Sequence, residues 1–364
     1  MKKMKASLLF VAIIALWVQT GQASVDGMIS YWRLDEPTGD IVLDSVGNNH
    51  GTIDNDPQRI TGIVGGAVSF DGVWDGFWPR DCVRIDSPSD IPIGNSPWSL
   101  SMWIKIDNYP SHLTCYRGLI FDRGNSTGIQ KGMHRLAVGW EQGGTNLWNC
   151  FWGTAWDYDT GITIDLETWY HITNTYDGST ARIYINGVEH WSQSIGSLDV
   201  RSSDIWLGGA ACHLSAGTID EVAIYDRPLA PEEIWRNYEN GLNGIGYPIK
   251  VEIDIKPGSD LNAINPDSQG VIPVAILTTE DFDASTVDPD SIMIAGRGVA
   301  VRGKGSKSMA RLEDVDGDGD IDLLVQVNTY VADHPWDSGP VDLTGETFDG
   351  TPIAGRDYVL VVPN

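Results

Sequence analysis

The feature that most constrains the fold of this chain is a series of short runs in which apolar and polar residues alternate. Residues 100–106 and 181–185 show this alternation, and the pairs Asp177-Gly178 and Asn186-Gly187 flank the second run. A period of two buries one face of a strand, and Asp-Gly and Asn-Gly favour tight hairpin turns. Because the pattern continues from about residue 27 to residue 225, it predicts an antiparallel β-sandwich.

Beyond this region the pattern changes. Residues 230–235 (APEEIW) indicate a helix, with proline at the first helical position and acids in the first turn. Residues 241–248 (GLNGIGYP) have the composition of a linker. Apolar runs at 270–278 (GVIPVAILT) and 358–362 (YVLVV) then predict a second, smaller β domain over residues 249–364.

Several segments of the first part occur in an order and spacing typical of one family. They are residues 29–34 (ISYWRL), 66–72 (GAVSFDG), 98–104 (WSLSMWI), 168–187 (TWYHITNTYDGSTARIYING) and 217–229 (GTIDEVAIYDRPL). Over about residues 26–240 the chain thus resembles the laminin-G/pentraxin type of concanavalin A-like jelly roll. The resemblance implies an all-β, two-sheet antiparallel jelly-roll sandwich, which we place at residues 24–240. It also implies a rim calcium ion with Asp220 as a carboxylate ligand.

The second domain resembles a C-terminal β module of secreted prokaryotic proteins. The shared segments are residues 253–260 (IDIKPGSD), 271–279 (VIPVAILTT) and 313–320 (EDVDGDGD). This resemblance implies an architecture and assigns no chemistry.

An aspartate-rich segment at residues 314–322 points to metal binding. Its alternating carboxylates are Asp314, Asp316, Asp318, Asp320 and Asp322. Carboxylates this close repel one another unless a cation neutralises them, and Ca²⁺ prefers such oxygen ligands. An EF-hand would need a glutamate where this chain has Val325 inside a strand-like run, so the segment more closely resembles DxDxDGxxD loops between strands. We predict a Ca²⁺ site, and the alternative is a solvated acidic turn.

The N-terminus has the layout of a secretory signal peptide. Lys2, Lys3 and Lys5 precede an apolar run at residues 6–18, which is shorter than the roughly 20 residues that span a bilayer. We expect residues 1–23 to be cleaved and the product to be secreted or displayed at the cell surface; the alternative is an uncleaved anchor. The formal net charge of −26 argues against nucleic acid or an anionic membrane as a partner.

The chain has four cysteines, Cys82, Cys115, Cys150 and Cys212, and none forms a CxxC pair. For an exported protein, two disulfides are expected rather than metal ligation or a nucleophilic thiol. Four cysteines allow three pairings. We favour Cys115–Cys150 with Cys82–Cys212, since each would join loops at the rim of the sandwich.

Aromatic residues crowd two glycine-rich segments. We predict that Trp74, Trp78, Trp152 and Trp156 bind a glycan, because an indole can stack on the C–H groups of a sugar. The alternative is that these indoles pack in the core or against loops, which stabilises the fold.

No catalytic motif stands out, so we assign no catalytic residue. The sequence has no HExxH, no GxSxG and no ExDxxE pattern. The interpretation that fits best is a secreted, calcium-binding, non-catalytic protein that binds a glycan or a cell-surface polysaccharide. One alternative is a polysaccharide-degrading enzyme, for which Arg117, Arg123, His134 and Arg135 lie on candidate strands. Another is a structural cell-surface protein. The oligomeric state is left open.

Overall fold

The computed structural model describes residues 27–72, 81–109, 118–124, 131–139, 144–151, 157–210, 213–214, 216–279, 282–303, 307–330 and 336–362. The strands of the first part are β1 (Met28–Trp32), β2 (Ile41–Val42), β3 (Gly51–Asp54), β4 (Gln58–Thr61), β5 (Gly66–Asp71), β6 (Cys82–Ile85), β7 (Trp98–Asn108), β8 (Gly118–Gly124), β9 (Met133–Val138), β10 (Asn146–Cys150), β11 (Asp157–Thr163), β12 (Trp169–Tyr176), β13 (Thr180–Ile185), β14 (Val188–Ser194), β15 (Ile205–Leu207), β16 (Gly209–Ala210), β17 (His213–Leu214) and β18 (Ala216–Tyr225).

Two antiparallel sheets of eight strands each, with the small pair β16–β17, form the described first part. The sheet called A here has the order β14-β13-β12-β7-β18-β5-β4, with β1 also paired to β18. The sheet called B has the order β11-β10-β9-β8-β15-β6-β3-β2. Their facing side chains form one large apolar core that includes Leu100, Met102, Phe121 and Leu136. The predicted two-sheet sandwich is therefore confirmed.

Strand β7, at the centre of sheet A, is buried on both faces. Leu100 and Met102 point into the core between the sheets, whereas Ser101 and Trp103 lie on the opposite face and are also buried. That opposite face is covered by helix α1 (Pro231–Leu242). Gly241 lies so close to Trp103 that a Cβ at this position would be 2.5 Å from the indole. The helix can therefore dock here only with glycine at residue 241.

Helix α1 begins where the sequence predicts. Pro231 is the first helical residue, and the carboxylate of Glu233 accepts a hydrogen bond from the backbone N–H of Ala230 at 2.8 Å. Glu233 also accepts two hydrogen bonds from Arg227, at 2.6 and 2.8 Å. These contacts satisfy a free N–H at the helix start and neutralise the acid. Among the described residues, no helix is both long and apolar enough to cross a membrane.

The second part is a separate β structure with its own core. Its strands are β19 (Ile249–Lys250), β20 (Ile253–Ile255), β21 (Ala263–Ile264), β22 (Val271–Ile276), β23 (Met293–Ile294), β24 (Arg297–Gly298), β25 (Ala310–Glu313), β26 (Asp322–Asn328), β27 (Gly339–Glu346) and β28 (Pro352–Val361), with a 3₁₀ turn at Ala284–Thr286. A six-stranded sheet has the order β19-β28-β27-β23-β24, with β21 beside β28, and a four-stranded sheet has the order β20-β22-β26-β25. Ile255, Val274, Val325 and Leu343 lie in the core. The predicted smaller β domain is confirmed as a β structure.

Candidate functional site

One row of side chains crosses the outer face of sheet B, the face turned away from sheet A. The register pairs Arg84 with Trp206, Trp206 with Asp122, Asp122 with Arg135, and Arg135 with Cys150. Directly paired residues share a face, and their strand neighbours Phe121 and Leu136 point into the core, so the row points outward. We call this surface the B face.

The centre of the B face holds a shielded ion pair. An Nη atom of Arg135 donates to a carboxylate oxygen of Asp122 at 2.5 Å, and each side chain is only 10% exposed. Removal of one partner of such a partly desolvated pair would leave the other charge buried without compensation. The two residues therefore fix each other's position in the middle of the row.

Trp206 lies beside this pair and is partly exposed. The guanidinium of Arg84 lies 5.8 Å from the centre of the Trp206 ring. Arg84 is itself held by Asp54, at 2.6 Å, and by Asp86. A cation at this distance can interact favourably with the indole ring, and the two carboxylates restrict where the cation can go. The indole is thus held between a fixed cation and a fixed ion pair.

A second indole, Trp148, lies on the same face. Trp148 pairs with Ala137 on β9 and with Asp159 on β11, and it too is partly exposed. Three strand steps separate it from Trp206, which corresponds to about 14 Å. Two aromatic rings at this separation, with charged and amide groups between and beside them, can contact an elongated polar ligand that has apolar C–H surfaces.

The tryptophans singled out by sequence lie elsewhere. Trp74, Trp78, Trp152 and Trp156 are outside the described residues, so their role stays a prediction. Sequence reasoning missed Trp206, although it stands between Ile205 and Leu207, which are both fully buried. That alternation was a sufficient signal, because it places the indole on the face opposite the core.

The aspartate-rich loop joins β25 to β26, as expected for a loop between two strands. Asp314, Asp316 and Asp322 each bring one carboxylate oxygen within 4.8 Å of the others. Asp318 and Asp320 are exposed and do not belong to this group. The loop therefore brings three of the five predicted carboxylates close together.

Backbone hydrogen bonds hold the three carboxylates in place, and Asp316 accepts from Asp318 N–H at 3.2 Å. Asp322 accepts from the N–H groups of Thr278 and Val315, both at 2.8 Å, and Asp314 accepts from Gly317 N–H at 2.7 Å. Asp322 is fully buried, whereas Asp314 and Asp316 are exposed. Three converging oxygens with a buried base suit a hard cation such as Ca²⁺.

Asp220 lies at a bulge of β18 and is fully buried. Its Oδ2 accepts from the N–H groups of Ile63 and Val64, at 2.9 and 3.1 Å, whereas its Oδ1 is without a hydrogen-bond partner. Burial, together with the neighbouring Glu221, raises the pKa of Asp220 well above its usual value. Within the described chain, Asp220 is not part of a group of three converging metal ligands, so its assignment as a calcium ligand stays a prediction.

Two of the four cysteines, Cys82 and Cys150, lie among the described residues. Cys82 is buried on β6 and forms no disulfide with a described cysteine, and burial raises the pKa of its thiol to about 12. Cys150 is buried on β10. Cys115 and Cys212 lie outside the described residues. Both predicted pairs include one of these two, so the disulfides stay a prediction.

The described residues considered for lyase chemistry do not share a surface, and Arg117 lies outside the described residues. Arg123 and His134 pair across β8 and β9 and lie on the inner face with Phe121 and Leu136, whereas Arg135 lies on the B face. Both Arg123 and His134 are buried. This arrangement does not assemble a neutralising arginine and a histidine base in one cleft.

Several solved structures are similar to this chain at low sequence identity. Domain 4 of AbnA, a GH43 extracellular arabinanase from Geobacillus stearothermophilus, in complex with arabinotriose, is 22% identical, with a TM-score of 0.42, and the match covers 57% of this chain and 96% of that domain. Trypanosoma rangeli sialidase is 17% identical, with a TM-score of 0.44, and the match covers 59% of this chain but only 33% of the sialidase. The binding domain of Paraclostridial Mosquitocidal Protein 1 is 16% identical, with a TM-score of 0.46, and the match covers 88% of this chain and 83% of that one.

Comparison by sequence finds a family model that is similar to most of the first part. No curated protein matched the chain. Residues 81–235 match the model of the concanavalin A-like lectin/glucanases superfamily, in its laminin-G form. The match confirms the resemblance that the ordered segments of the sequence predicted, and it covers the greater part of the two-sheet sandwich.

Proposed function

We propose that this protein is a secreted, non-catalytic carbohydrate-binding protein that holds its ligand on the B face. The observation that carries the proposal is the placement of Trp148 and Trp206 on one outer face, with the ion pair of Asp122 and Arg135 between their strands. Proteins bind sugars by stacking an aromatic ring on C–H groups and by hydrogen-bonding the hydroxyls. The B face offers both kinds of group side by side.

The separation of the two indoles favours an extended ligand. About 14 Å lies between the strand positions of Trp148 and Trp206, so one sugar ring cannot contact both. An oligosaccharide segment that crosses the strands could stack at each end and hydrogen-bond to Arg84 or Asp159, which pair with Trp206 and Trp148 and are more exposed than the central ion pair. This supports binding to a polysaccharide rather than to a free monosaccharide.

Alanine substitutions at the two indoles test the proposal. Trp206→Ala and Trp148→Ala should each weaken binding to polysaccharides identified on a glycan array by at least about tenfold, which is about 1.4 kcal/mol. Trp235→Ala is the matched control, because Trp235 is 42% exposed on helix α1, which covers the opposite sheet. Affinity electrophoresis gives the binding, and a thermal melt verifies each fold. If all three variants bind the polysaccharide as tightly as the wild type does, the proposed face is wrong.

Calcium and export belong to the same proposal. The convergence of Asp314, Asp316 and Asp322 within 4.8 Å supports Ca²⁺ bound at the β25–β26 loop. These residues would hold the ion, and it would cross-link the ends of two strands rather than take part in a reaction. A calcium-containing extracellular medium suits this site, and the signal-like N-terminus supports export.

An enzymatic function is the second candidate, and one observation favours it. Asp157 and Asp159 alternate on β11 and pair with outward-facing Cys150 and Trp148, so both carboxylates belong to the B face. Glycoside hydrolases use two carboxylates near the scissile bond. If the protein hydrolyses its ligand, a reducing-sugar assay on the bound polysaccharide will show turnover that Asp157→Asn and Asp159→Asn abolish. Binding without reducing ends supports the non-catalytic function.

A further inference from the structure

Arg123 is a buried cation in the interior of the jelly roll. Its side chain is on the inner face of β8, and the residue is 4% exposed. The guanidinium stacks on the ring of Trp98 at 4.7 Å and donates from Nη1 to the carbonyl oxygen of Pro92 at 3.2 Å. Its Nε has no hydrogen-bond partner. The interior thus holds an arginine with unused donors.

No described carboxylate pairs with this arginine. Neighbouring Asp122 points to the B face and pairs with Arg135 instead. Burial lowers the pKa of Arg123 to about 9, which leaves it charged at neutral pH. His134, across the strand pair, cannot compensate, because burial and the charge of Arg123 hold its pKa well below the usual value. An unpaired buried charge is strongly destabilising unless an ion neutralises it.

A small cavity gives access to the guanidinium. It has a volume of about 20 Å³, and its lining includes Arg123, Pro92, Ile93, Arg201, Ser202 and Ser203. Ile93 is 52% exposed, and Arg201, which pairs with Asp199 at 2.7 Å, is half exposed, so the cavity lies at the surface end of the arginine. A volume of this size admits one particle about as large as a water molecule.

We propose that this cavity binds one small anion, either a halide or the carboxylate group of a small acid, with Arg123 as its charged ligand. The cavity is open to solvent at one end, so a halide or a carboxylate group can reach the guanidinium there, whereas a bulky polyatomic anion does not fit. A water molecule could accept a hydrogen bond from the guanidinium, but it would not neutralise the charge. An anion does both, and it would also tie the segment that carries Pro92 and the segment that carries Ser203 to the core.

An anion series on the full chain tests this site. Thermal melts at constant ionic strength should show a saturable rise in melting temperature with sodium chloride and with sodium formate, but not with the bulky sodium gluconate. Arg123→Met should lose this dependence. Arg182→Met should keep it, because Arg182 is a partly exposed arginine of the same sandwich that pairs with Asp177. The same melting temperature in all three salts would overturn the proposal.

Crystals give a readout that does not depend on a folded variant. Diffraction from crystals grown in sodium bromide should show an anomalous peak within hydrogen-bonding distance of the Arg123 guanidinium. A separate crystal grown in sodium formate distinguishes a carboxylate from a halide. If both crystals show only water beside Arg123, the cavity does not bind an anion and the proposal is wrong. Neither result depends on glycan binding at the B face.

Discussion

The hydroxyl of Tyr247 lies 3.0 Å from Nε2 of His171, in the interior behind helix α1. The same hydroxyl is 3.1 Å from Oγ of Ser101, and the backbone N–H of Tyr247 donates to the hydroxyl of Tyr31 at 3.1 Å. Tyr247 is only 1% exposed. The segment after the helix, which has the composition of a linker, is therefore anchored to sheet A, and the chain enters the second part from a fixed position.

Removal of this anchor should destabilise the first part. Tyr247→Phe leaves buried polar partners without a hydrogen bond and should lower the free energy of unfolding by about 1–2 kcal/mol. Tyr247→Ala should cost about 3–5 kcal/mol, because it also creates a cavity. Urea unfolding of the full chain measures both values. Tyr358→Phe is the control, since Tyr358 is 64% exposed. If the Tyr247 variants are as stable as the control, the tyrosine is not an anchor.

Glu221 should make the first part less stable as the pH rises. Glu221 is buried, and burial raises its pKa to about 8, against the hydrogen bond from Tyr31, which lowers it. In the unfolded chain the glutamate loses its proton near pH 4.3. Its contribution to stability is therefore complete below that pH and is lost as the pH rises to about 8. For one proton, the slope is at most about 1.4 kcal/mol per pH unit.

Between pH 6.5 and 8 only carboxyl groups with raised pKa values contribute such a slope, and Glu221→Gln separates the effect of Glu221 from that of Asp220, whose pKa is raised in the same direction. Burial lowers the pKa of His171 to about 3, so His171 contributes stability above about pH 6.5 that is lost on acidification, with the opposite sign. The free energy of unfolding of the wild type should fall as the pH rises from 6.5 through 7.2 to 8, and that of Glu221→Gln should change less. Exposed Glu239→Gln should behave as the wild type. Parallel profiles for all three proteins would contradict a buried protonated Glu221.

Chelation should lower the melting temperature of the second part. Bound Ca²⁺ stabilises only the folded state, so its removal by EGTA should shift the melt, and added Ca²⁺ should restore it. Asp314→Asn together with Asp316→Asn should abolish the difference. Asp260→Asn is the matched control, because Asp260 is exposed on another loop. Identical wild-type melts with Ca²⁺ and with EGTA would show that the loop is only an acidic turn.

Peptide mapping should find no link between Cys82 and Cys150. Strands β9, β8 and β15 separate their strands in sheet B, which places them about 19 Å apart. A disulfide requires Cα atoms within about 7 Å. If the secreted protein is oxidised, each of these cysteines must pair with Cys115 or Cys212. A Cys82–Cys150 peptide would mean that sheet B has a different strand order.

Much of this architecture is local and could be predicted from sequence. Alternation within residues 100–106 predicts a strand because side chains on a strand alternate between faces, and the structure has β7 there. Pro231 and Glu233 predict the start of α1. Proline lacks the N–H that a helix start leaves free, and an acid in the first turn interacts favourably with the N–H groups that remain. The loop between β25 and β26 followed from the DxDxDGxxD pattern, and the glycine of this pattern, Gly319, adopts a positive φ angle.

The candidate sites depend on contacts that only the tertiary structure decides. Trp206, Asp122 and Arg84 are far apart in sequence and become neighbours only through the strand order of sheet B. Asp122 and Arg123 are adjacent in sequence, yet one pairs on the outer face and the other is buried with an unused donor. The sequence determined that these two side chains point to opposite faces, because strands alternate. Which face became core was decided by the packing of sheet A against sheet B, which removes apolar surface from water.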